Sequence, residues 1–226
     1  MAEATETLYT PSHWSLLQRL RDEAIEMIRP LQRRHIQALA YGSIARGDIK
    51  PTSDIDIIIP NPPAPTIIEA LIETETTITH REIIQATPNY AAKAYIHTAE
   101  DRSYSLPLVP LRSHERDFYS FAGSVDHPQL AEDIRVPGVT KNLNLITPTP
   151  QGHTETPVTG REGVTAKILG IGVTAVLDRV RTLRRREKIG RTGVYIQRTL
   201  HPHEDFGDVY QQLARRRPPL RRRQRE

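Results

Sequence analysis

The chain has 226 residues, with 31 Lys and Arg, 27 Asp and Glu and no cysteine. The lack of cysteine excludes disulfides, thiolate metal sites and cysteine nucleophiles. No stretch approaches the roughly eighteen consecutive apolar residues of a membrane span, and the N-terminal residues lack the pattern of a signal peptide. We therefore expect a cytoplasmic protein with no membrane partner, folded as one large domain or two small ones.

Charge is distributed unevenly along the chain. Residues 1–159 carry 14 Lys and Arg against 20 Asp and Glu, residues 160–200 carry 10 against 3, and residues 215–226 carry 7 against 1. This asymmetry predicts that any contact with RNA or DNA is concentrated toward the C-terminal end.

The first predicted elements are a helix and a strand. Apolar residues at near-helical spacing over residues 15–32 predict an amphipathic helix, and the apolar run 36–41 predicts the strand that follows it. Gly42 and Ser43 come at the end of this strand, ahead of a short helical segment over residues 44–46. Such a turn directs backbone N–H groups and the Ser43 hydroxyl toward an anion, which predicts a phosphate cradle.

Two aspartates follow in the next apolar run, residues 55–59. Because side chains alternate along a strand, Asp54 and Asp56 project from one face while the isoleucines between and after them project from the other. Two carboxylates held side by side repel each other unless a cation neutralises them, and their oxygens suit Mg²⁺, or Mn²⁺, bound together with substrate phosphates. A simpler alternative is that Gly-Ser is an ordinary turn and Asp-Ile-Asp the solvated face of an edge strand.

A helix over residues 66–74 and strands over residues 78–86, 92–98 and 104–111 complete the first part of the chain. The order predicts an α/β (α+β) fold with a small mixed sheet.

The spacing Gly-Ser, ten residues, Asp-x-Asp, together with Arg46-Gly47-Asp48 and Ser53, resembles the signature of the polymerase-β-like nucleotidyltransferase superfamily. This superfamily includes CCA-adding enzymes, poly(A) polymerases, antibiotic nucleotidyltransferases and protein adenylyltransferases. The resemblance implies transfer of a nucleoside monophosphate from a nucleoside triphosphate (NTP) to an acceptor hydroxyl. It implies catalytic, metal-holding roles for Asp54 and Asp56, and nucleotide-binding roles for Gly42, Ser43, Arg46, Ser53 and Lys50, with Arg46 neutralising the leaving group.

The superfamily normally has a third carboxylate on a later strand. Residues 104–110 resemble the corresponding strand of archaeal CCA-adding enzymes, and Pro107 stands at the carboxylate position. Proline binds no metal. Either Glu100, Asp101 or Glu115 takes this role, or the acceptor half of the site is altered. The alternative function is a catalytically weak or inactive, nucleotide-sensing regulator that binds nucleic acid.

Residues 165–183 resemble the helix-turn-helix of winged-helix regulators, with Gly170 at the turn and the wing predicted in residues 190–200. The second helix would meet nucleic acid through its basic residues, namely Arg179, Arg181, Arg184, Arg185, Arg186 and Lys188, and Arg191 would add to them from the wing. The alternative is that this domain only docks on the catalytic domain or dimerises.

The predicted domains are a nucleotidyltransferase domain over residues 1–150, a winged-helix-like domain over residues 151–200 and a basic, disordered tail over residues 201–226. The whole arrangement resembles predicted nucleotidyltransferases of archaea. The histidines are scattered, and the sequence gives none of them a role.

Overall fold

The computed structural model describes residues 4–190 and 193–224. The elements of its first half, in chain order, are β1 (Thr5–Leu8), α1 (Pro11–Gln32), β2 (Leu39–Tyr41), α2 (Ser43–Arg46), β3 (Ile55–Ile58), α3 (Pro65–Glu73), β4 (His80–Gln85), β5 (Lys93–Ala99) and β6 (Arg102–Pro107). The elements of its second half are α4 (Ser113–Ala122), β7 (Ser124–Val125), α5 (His127–Ala131), β8 (Gly138–Val139), β9 (Asn144–Thr149), β10 (Gly152–Pro157), α6 (Glu162–Leu169), α7 (Val173–Ile189), β11 (Ile196–Thr199), α8 (Phe206–Arg216) and α9 (Pro218–Gln224).

The long N-terminal helix α1 is confirmed, and it begins four residues before the predicted start. The Thr10 side chain accepts a hydrogen bond from the His13 N–H, and Pro11 occupies the first turn, where its missing N–H costs nothing. One face of α1 is buried in the main core through Leu17, Leu20 and further apolar residues. The helix therefore lies against the sheet that carries the candidate site.

That sheet has seven strands in the order β11-β4-β5-β6-β3-β2-β7. Every pair is antiparallel except β3 with β6, which is parallel and places Asp56 opposite Ser103. Ile55 and Ile57 are fully buried beneath the sheet, as strand alternation predicts. The mixed sheet and the strands predicted from residues 36 to 111 are thus confirmed, with ends that differ by at most four residues.

A second sheet was not predicted from the sequence. It is antiparallel in the order β1-β10-β9-β8, and it brings the N-terminal strand beside residues 152–157, with Thr5 opposite Glu155. Its strands are rich in threonine and show little apolar alternation, so the pattern that identifies strands is weak there. The predicted domain boundary at residue 150 falls on the turn between β9 and β10, which are paired strands of one hairpin.

The predicted pair of helices exists as α6 and α7, and Gly170 ends α6 with a left-handed φ of 65°. The pair shares a small core with the second sheet and the end of α4, formed by Phe121, Val139, Leu145, Val158, Ala166, Val176 and Val180. The predicted wing is corrected, because residues 196–199 form β11 and pair with β4 at the edge of the large sheet. Burial of Ile196 against the main core accounts for this placement.

The tail that the sequence predicted as disordered contains the helices α8 and α9. Leu220 is fully buried, and Arg223 is buried in an ion pair with Glu115 of α4 at 2.7 Å. The high charge of this segment concealed the apolar side chains that α8 and α9 bury in the main core and the buried ion pair of Arg223, which together hold it on the main domain. Within the described parts of the chain, no helix has the length and apolarity to cross a membrane.

Candidate active site

The two aspartates of the motif lie at the centre of the large sheet. Asp56 is on β3, and Asp54 precedes that strand by one residue. Directly opposite on β6, the Ser103 hydroxyl donates a hydrogen bond to Oδ1 of Asp56 at 2.7 Å. Neither aspartate has an ion-pair partner within 4 Å among residues 4–190 and 193–224, so their charges face the site uncompensated.

Burial raises the pKa of the Asp56 carboxyl above its ordinary value. The hydrogen bond from Ser103 opposes this shift, and the neighbouring Asp54 charge adds to it. Asp56 is half-buried and Asp54 is exposed, and two neighbouring carboxylates without an ion-pair partner offer the hard oxygen ligands that a divalent cation such as Mg²⁺ prefers. The residues present therefore fit the metal that the superfamily uses.

Replacing Asp56 by asparagine should stabilise the metal-free protein. Because the folded pKa of Asp56 is raised, the folded state disfavours the ionised form, and stability is lost as pH rises through that pKa. We expect Asp56→Asn to gain about 0.5–2 kcal/mol in unfolding free energy at pH 7, and to lose this gain below about pH 4, where both states are protonated. Urea unfolding with a chelator present measures it, with Asp22→Asn on the exposed face of α1 as the control. Lower stability of Asp56→Asn than of wild type at pH 7 would contradict this expectation.

The Gly42-Ser43 turn lies at the end of β2, next to the aspartates. Gly42 has a φ of 88°, which disfavours any side chain, and its N–H donates to the Gly123 carbonyl at 2.9 Å. A Cβ built at Gly42 would meet nothing within 4 Å and would occupy open space in the cavity. The Ser43 hydroxyl is 3.3 Å from that of Ser53, which itself accepts the Lys50 N–H at 2.8 Å. The turn and the loop before β3 therefore support each other and leave room for a ligand above Gly42.

The resemblance implies that Arg46 neutralises the leaving group, but its guanidinium is engaged in contacts within the protein. Its guanidinium makes two hydrogen bonds to Asp48, at 2.9 and 3.0 Å, and one to the Ala122 carbonyl. Only 7% of the side chain is exposed. These contacts indicate that Arg46 fixes the loop after the Gly-Ser turn, and its charge is already balanced by Asp48.

A cavity of about 800 Å³ opens over these residues. The predicted residues Gly42, Ser43, Arg46, Lys50, Ser53, Asp54 and Asp56 all line it. The second sheet forms another wall with Tyr9, Lys141 and His153, which sequence reasoning missed. The Lys141 charge acts to lower the pKa of Asp56, so this lysine is near the carboxylates. Lys141 stands in the short connection between β8 and β9, and no local pattern marks it.

Helix α7 closes the cavity from a third side. Arg179, Leu183 and Arg186 line it, whereas the remaining basic side chains of α7 lie outside this lining. The Arg179 guanidinium lies 4.8 Å above the Phe118 ring centre, and no hydrogen bond or ion pair joins it to another described residue. Burial lowers the pKa of Arg179, and the nearby positive charge of Arg186 lowers it further. Arg179 therefore presents an unpaired positive charge at the same cavity as Asp54 and Asp56.

The other basic residues predicted to meet nucleic acid are exposed or engaged elsewhere. Arg184 donates to the Thr159 hydroxyl at 3.1 Å, and Arg181 lies 4.0 Å from Asp178. Arg185 and Lys188 are exposed on α7, and Arg191 lies outside the described residues. Of the predicted nucleic-acid-binding residues that the structure describes, only Arg179 and Arg186 line the same cavity as Asp54 and Asp56.

The position of the third carboxylate is corrected by the register of the sheet. Ser103 is opposite Asp56, whereas Pro107 lies four residues farther along β6 and pairs with Lys93. Two of the alternative carboxylates form ion pairs elsewhere: Glu115 with Arg223 at 2.7 Å, and Asp101 with Arg102 at 2.8 Å. Among the described residues, no third His, Asp or Glu ligand atom joins Asp54 and Asp56 in a compact group.

A comparison with protein families agrees with the geometry of the site. Residues 21–102 match the family model of the nucleotidyltransferase domain, a span that runs from within α1 to the start of β6 and includes the Gly-Ser turn and both aspartates. No curated protein and no solved structure matches the chain significantly. Residues 21–102 are thus similar to nucleotidyltransferase domains, which supports the resemblance to the polymerase-β-like superfamily.

Proposed function

We propose that the chain is an active, metal-dependent nucleotidyltransferase that uses Asp54 and Asp56 to transfer a nucleoside monophosphate. The observation that carries this proposal is the unpaired Asp54–Asp56 pair beside the open space above Gly42, inside one cavity. Bound at these carboxylates, Mg²⁺ or Mn²⁺ would neutralise triphosphate oxygens and act as a Lewis acid.

The reaction is a displacement at the α-phosphorus of the NTP. The acceptor hydroxyl oxygen forms a bond to the α-phosphorus, the bond from the α-phosphorus to the oxygen bridging the β-phosphate breaks, and pyrophosphate leaves with that oxygen. The hydroxyl proton passes to solvent. The Gly42-Ser43 turn would hold the phosphates through backbone N–H groups and the Ser43 hydroxyl, while Lys50 and Lys141 supply positive charge at the cavity wall.

A nucleic acid is the acceptor that the charges of the cavity favour. Arg179 has no ion pair within the described chain, and Arg186 continues the positive surface along α7. An unpaired guanidinium facing an active-site cavity is suited to a phosphate group of the substrate or the acceptor. The exposed basic residues of α7 extend this surface beyond the cavity, toward a polyanion longer than a nucleotide.

Substitution of the cavity arginines should weaken nucleic-acid binding and its salt dependence. We expect Arg179→Ala and Arg186→Ala each to reduce the slope of log affinity against log salt by about 1, because each removes one phosphate contact. Fluorescence anisotropy with a labelled single-stranded RNA and DNA measures the slope. Arg19→Ala, on the exposed face of α1, is the control and should leave the slope unchanged.

This experiment needs the full chain, because residues 160–226 do not form a separate unit. Strand β11 is an edge strand of the large sheet, and α7 shares its core with the second sheet. Equal slopes in wild type and both arginine variants would remove nucleic acid as the acceptor bound at this wall.

A second function remains, in which the domain binds NTP and nucleic acid without transfer. Ser103 favours it, because a hydroxyl stands opposite Asp56 where a third carboxylate would help to activate the acceptor. Incubation of the full chain with each α-labelled NTP, Mg²⁺ or Mn²⁺ and a total RNA and protein extract separates the two functions. Label transferred to RNA supports the enzyme with a nucleic-acid acceptor. Label on protein would reassign the acceptor, and NTP binding with no transfer would favour the sensor.

A further inference from the structure

Three potential metal ligands meet on β4 and β5, outside the residues assigned above. His80 and Glu82 are two residues apart on β4 and so share a face, and His97 of β5 lies directly opposite His80. Nε2 of His97 is 3.2 Å from Oε1 of Glu82, and one ligand atom from each residue lies within 4.8 Å of the others. Over residues 4–190 and 193–224, this is the only compact group of three such side chains.

Neighbouring residues fix the Glu82 side chain and the backbone at His97. The Gln197 side-chain amide of β11 donates to Oε2 of Glu82 at 2.9 Å, and Glu82 is buried. The backbone N–H and hydroxyl of Thr79 both donate to the His97 carbonyl, at 2.7 and 2.9 Å. Hydrogen bonds that orient the ligands from behind are a regular feature of protein metal sites.

The two imidazole rings of the cluster lie face to face. The rings of His80 and His97 are stacked, with centres 4.0 Å apart and planes 6° from parallel. Burial lowers the pKa of His97, and the charge of His80 lowers it further, against the opposing effect of Glu82. Neutral imidazole, whose ring nitrogen has a free lone pair, is the form that ligates metals.

We propose that His80, Glu82 and His97 bind a divalent transition-metal ion of the Zn²⁺ class. Two imidazoles and one carboxylate are a common ligand set for such ions, and they leave further positions open to water or a substrate oxygen. With bonds of about 2.1 Å, ligand atoms around a tetrahedral Zn²⁺ are roughly 3.4 Å apart, so the side chains must approach slightly. His80 is exposed and has room to turn its ring from the stack toward a shared ion.

This site would be separate from the aspartate pair but would face the same side of the sheet. Asp56, Ser103, His97 and His80 are consecutive partners across β3, β6, β5 and β4. The aspartates offer only oxygen, which suits Mg²⁺, whereas the histidine cluster offers nitrogen, which suits Zn²⁺. The two sites can therefore be distinguished by metal as well as by substitution, and the Zn²⁺ site does not depend on NTP transfer.

Equilibrium dialysis of the full chain tests the proposal. After chelator treatment, wild type dialysed against Zn²⁺ should retain about one ion per chain, and His80→Ala should weaken its binding by at least tenfold. His80 is exposed, so this variant should fold normally. His114→Ala removes another exposed histidine, and Asp54→Asn removes a carboxylate of the other site; both should retain the ion.

Gln197→Ala provides a second test, since it keeps all three ligands. Loss of the hydrogen bond to Glu82 should weaken Zn²⁺ binding by about 10–100-fold while circular dichroism remains unchanged. Visible absorption of bound Co²⁺ should change in His80→Ala and remain the same in His114→Ala. Equal Zn²⁺ affinity in wild type and His80→Ala, or loss of the ion in Asp54→Asn alone, would overturn the proposal.

Discussion

Asp54→Asn or Asp56→Asn should lower transfer of the nucleoside monophosphate by at least about 10³-fold. Asparagine keeps the shape of each side chain but removes the negative charge that attracts a divalent cation. Without that cation, the negative triphosphate oxygens are repelled by the remaining carboxylate. A 10³-fold lower rate corresponds to a loss of about 4 kcal/mol in transition-state stabilisation. Because neither carboxylate has a cationic partner within the described chain, the substitutions break no ion pair.

Pyrophosphate release with each NTP, and transfer of α-label to the acceptor identified above, measure this effect. Asp101→Asn is the matched control, because Asp101 is the residue just before β6 and is paired with Arg102. Its activity should stay within about twofold of wild type. Near-wild-type transfer by Asp54→Asn and Asp56→Asn would show that the chemistry occurs elsewhere.

The largest stability effect should come from the ion pair between α4 and α9. Glu115 and Arg223 are each 3% exposed, and the carboxylate also accepts the backbone N–H groups of Ala91 and Arg112. Glu115→Ala would remove the carboxylate that pairs with the buried Arg223 guanidinium and would also leave those two N–H groups without their acceptor. Breaking a buried pair in this way typically costs about 3–5 kcal/mol.

Chemical denaturation of the full chain measures that loss as a shift in the unfolding midpoint. Glu187→Ala on the exposed end of α7 is the control, and its change should stay within about 0.5 kcal/mol. A loss below about 1 kcal/mol for Glu115→Ala would mean that α9 contributes little to the folded domain.

The motif could be predicted from sequence because its information is local. A turn that needs a positive φ at Gly42 and a strand that alternates Asp with Ile both leave their pattern within a few residues. The position of Lys141 could not be predicted in this way. It stands between the paired strands β8 and β9, whose residues Val139 and Leu145 pack with Phe121 of α4, and contacts between residues so far apart in sequence leave no local signal.

The residue opposite Asp56 depends on a register that sequence alone does not determine. Parallel pairing of β3 with β6 places Ser103 there, and a shift of four residues along the same strand would have placed Pro107. Both residues belong to one apolar and hydroxyl-rich run, and both positions are on the same face, so the alternation does not distinguish between them.

The helices of the C-terminal segment could not be predicted from its charge. Its arginines indicated a solvated tail, but α8 buries Phe206 and Tyr210, and Leu220 of α9 is fully buried. A few apolar side chains and a buried partner for Arg223 hold this segment on the domain, and the partner, Glu115, is more than 100 residues away in sequence. Charge counts describe the exposed arginines of this segment and not the buried residues that hold it.

Calorimetric titration of each NTP into the full chain, with and without Mg²⁺, tests the central claim most directly. If Asp54 and Asp56 hold the metal that binds the triphosphate, at least one NTP should bind wild type in the presence of Mg²⁺, and its affinity should fall at least about tenfold in Asp56→Asn and on addition of a chelator. Equal affinity in wild type and Asp56→Asn, or affinity that does not depend on Mg²⁺, would contradict the assignment of this site.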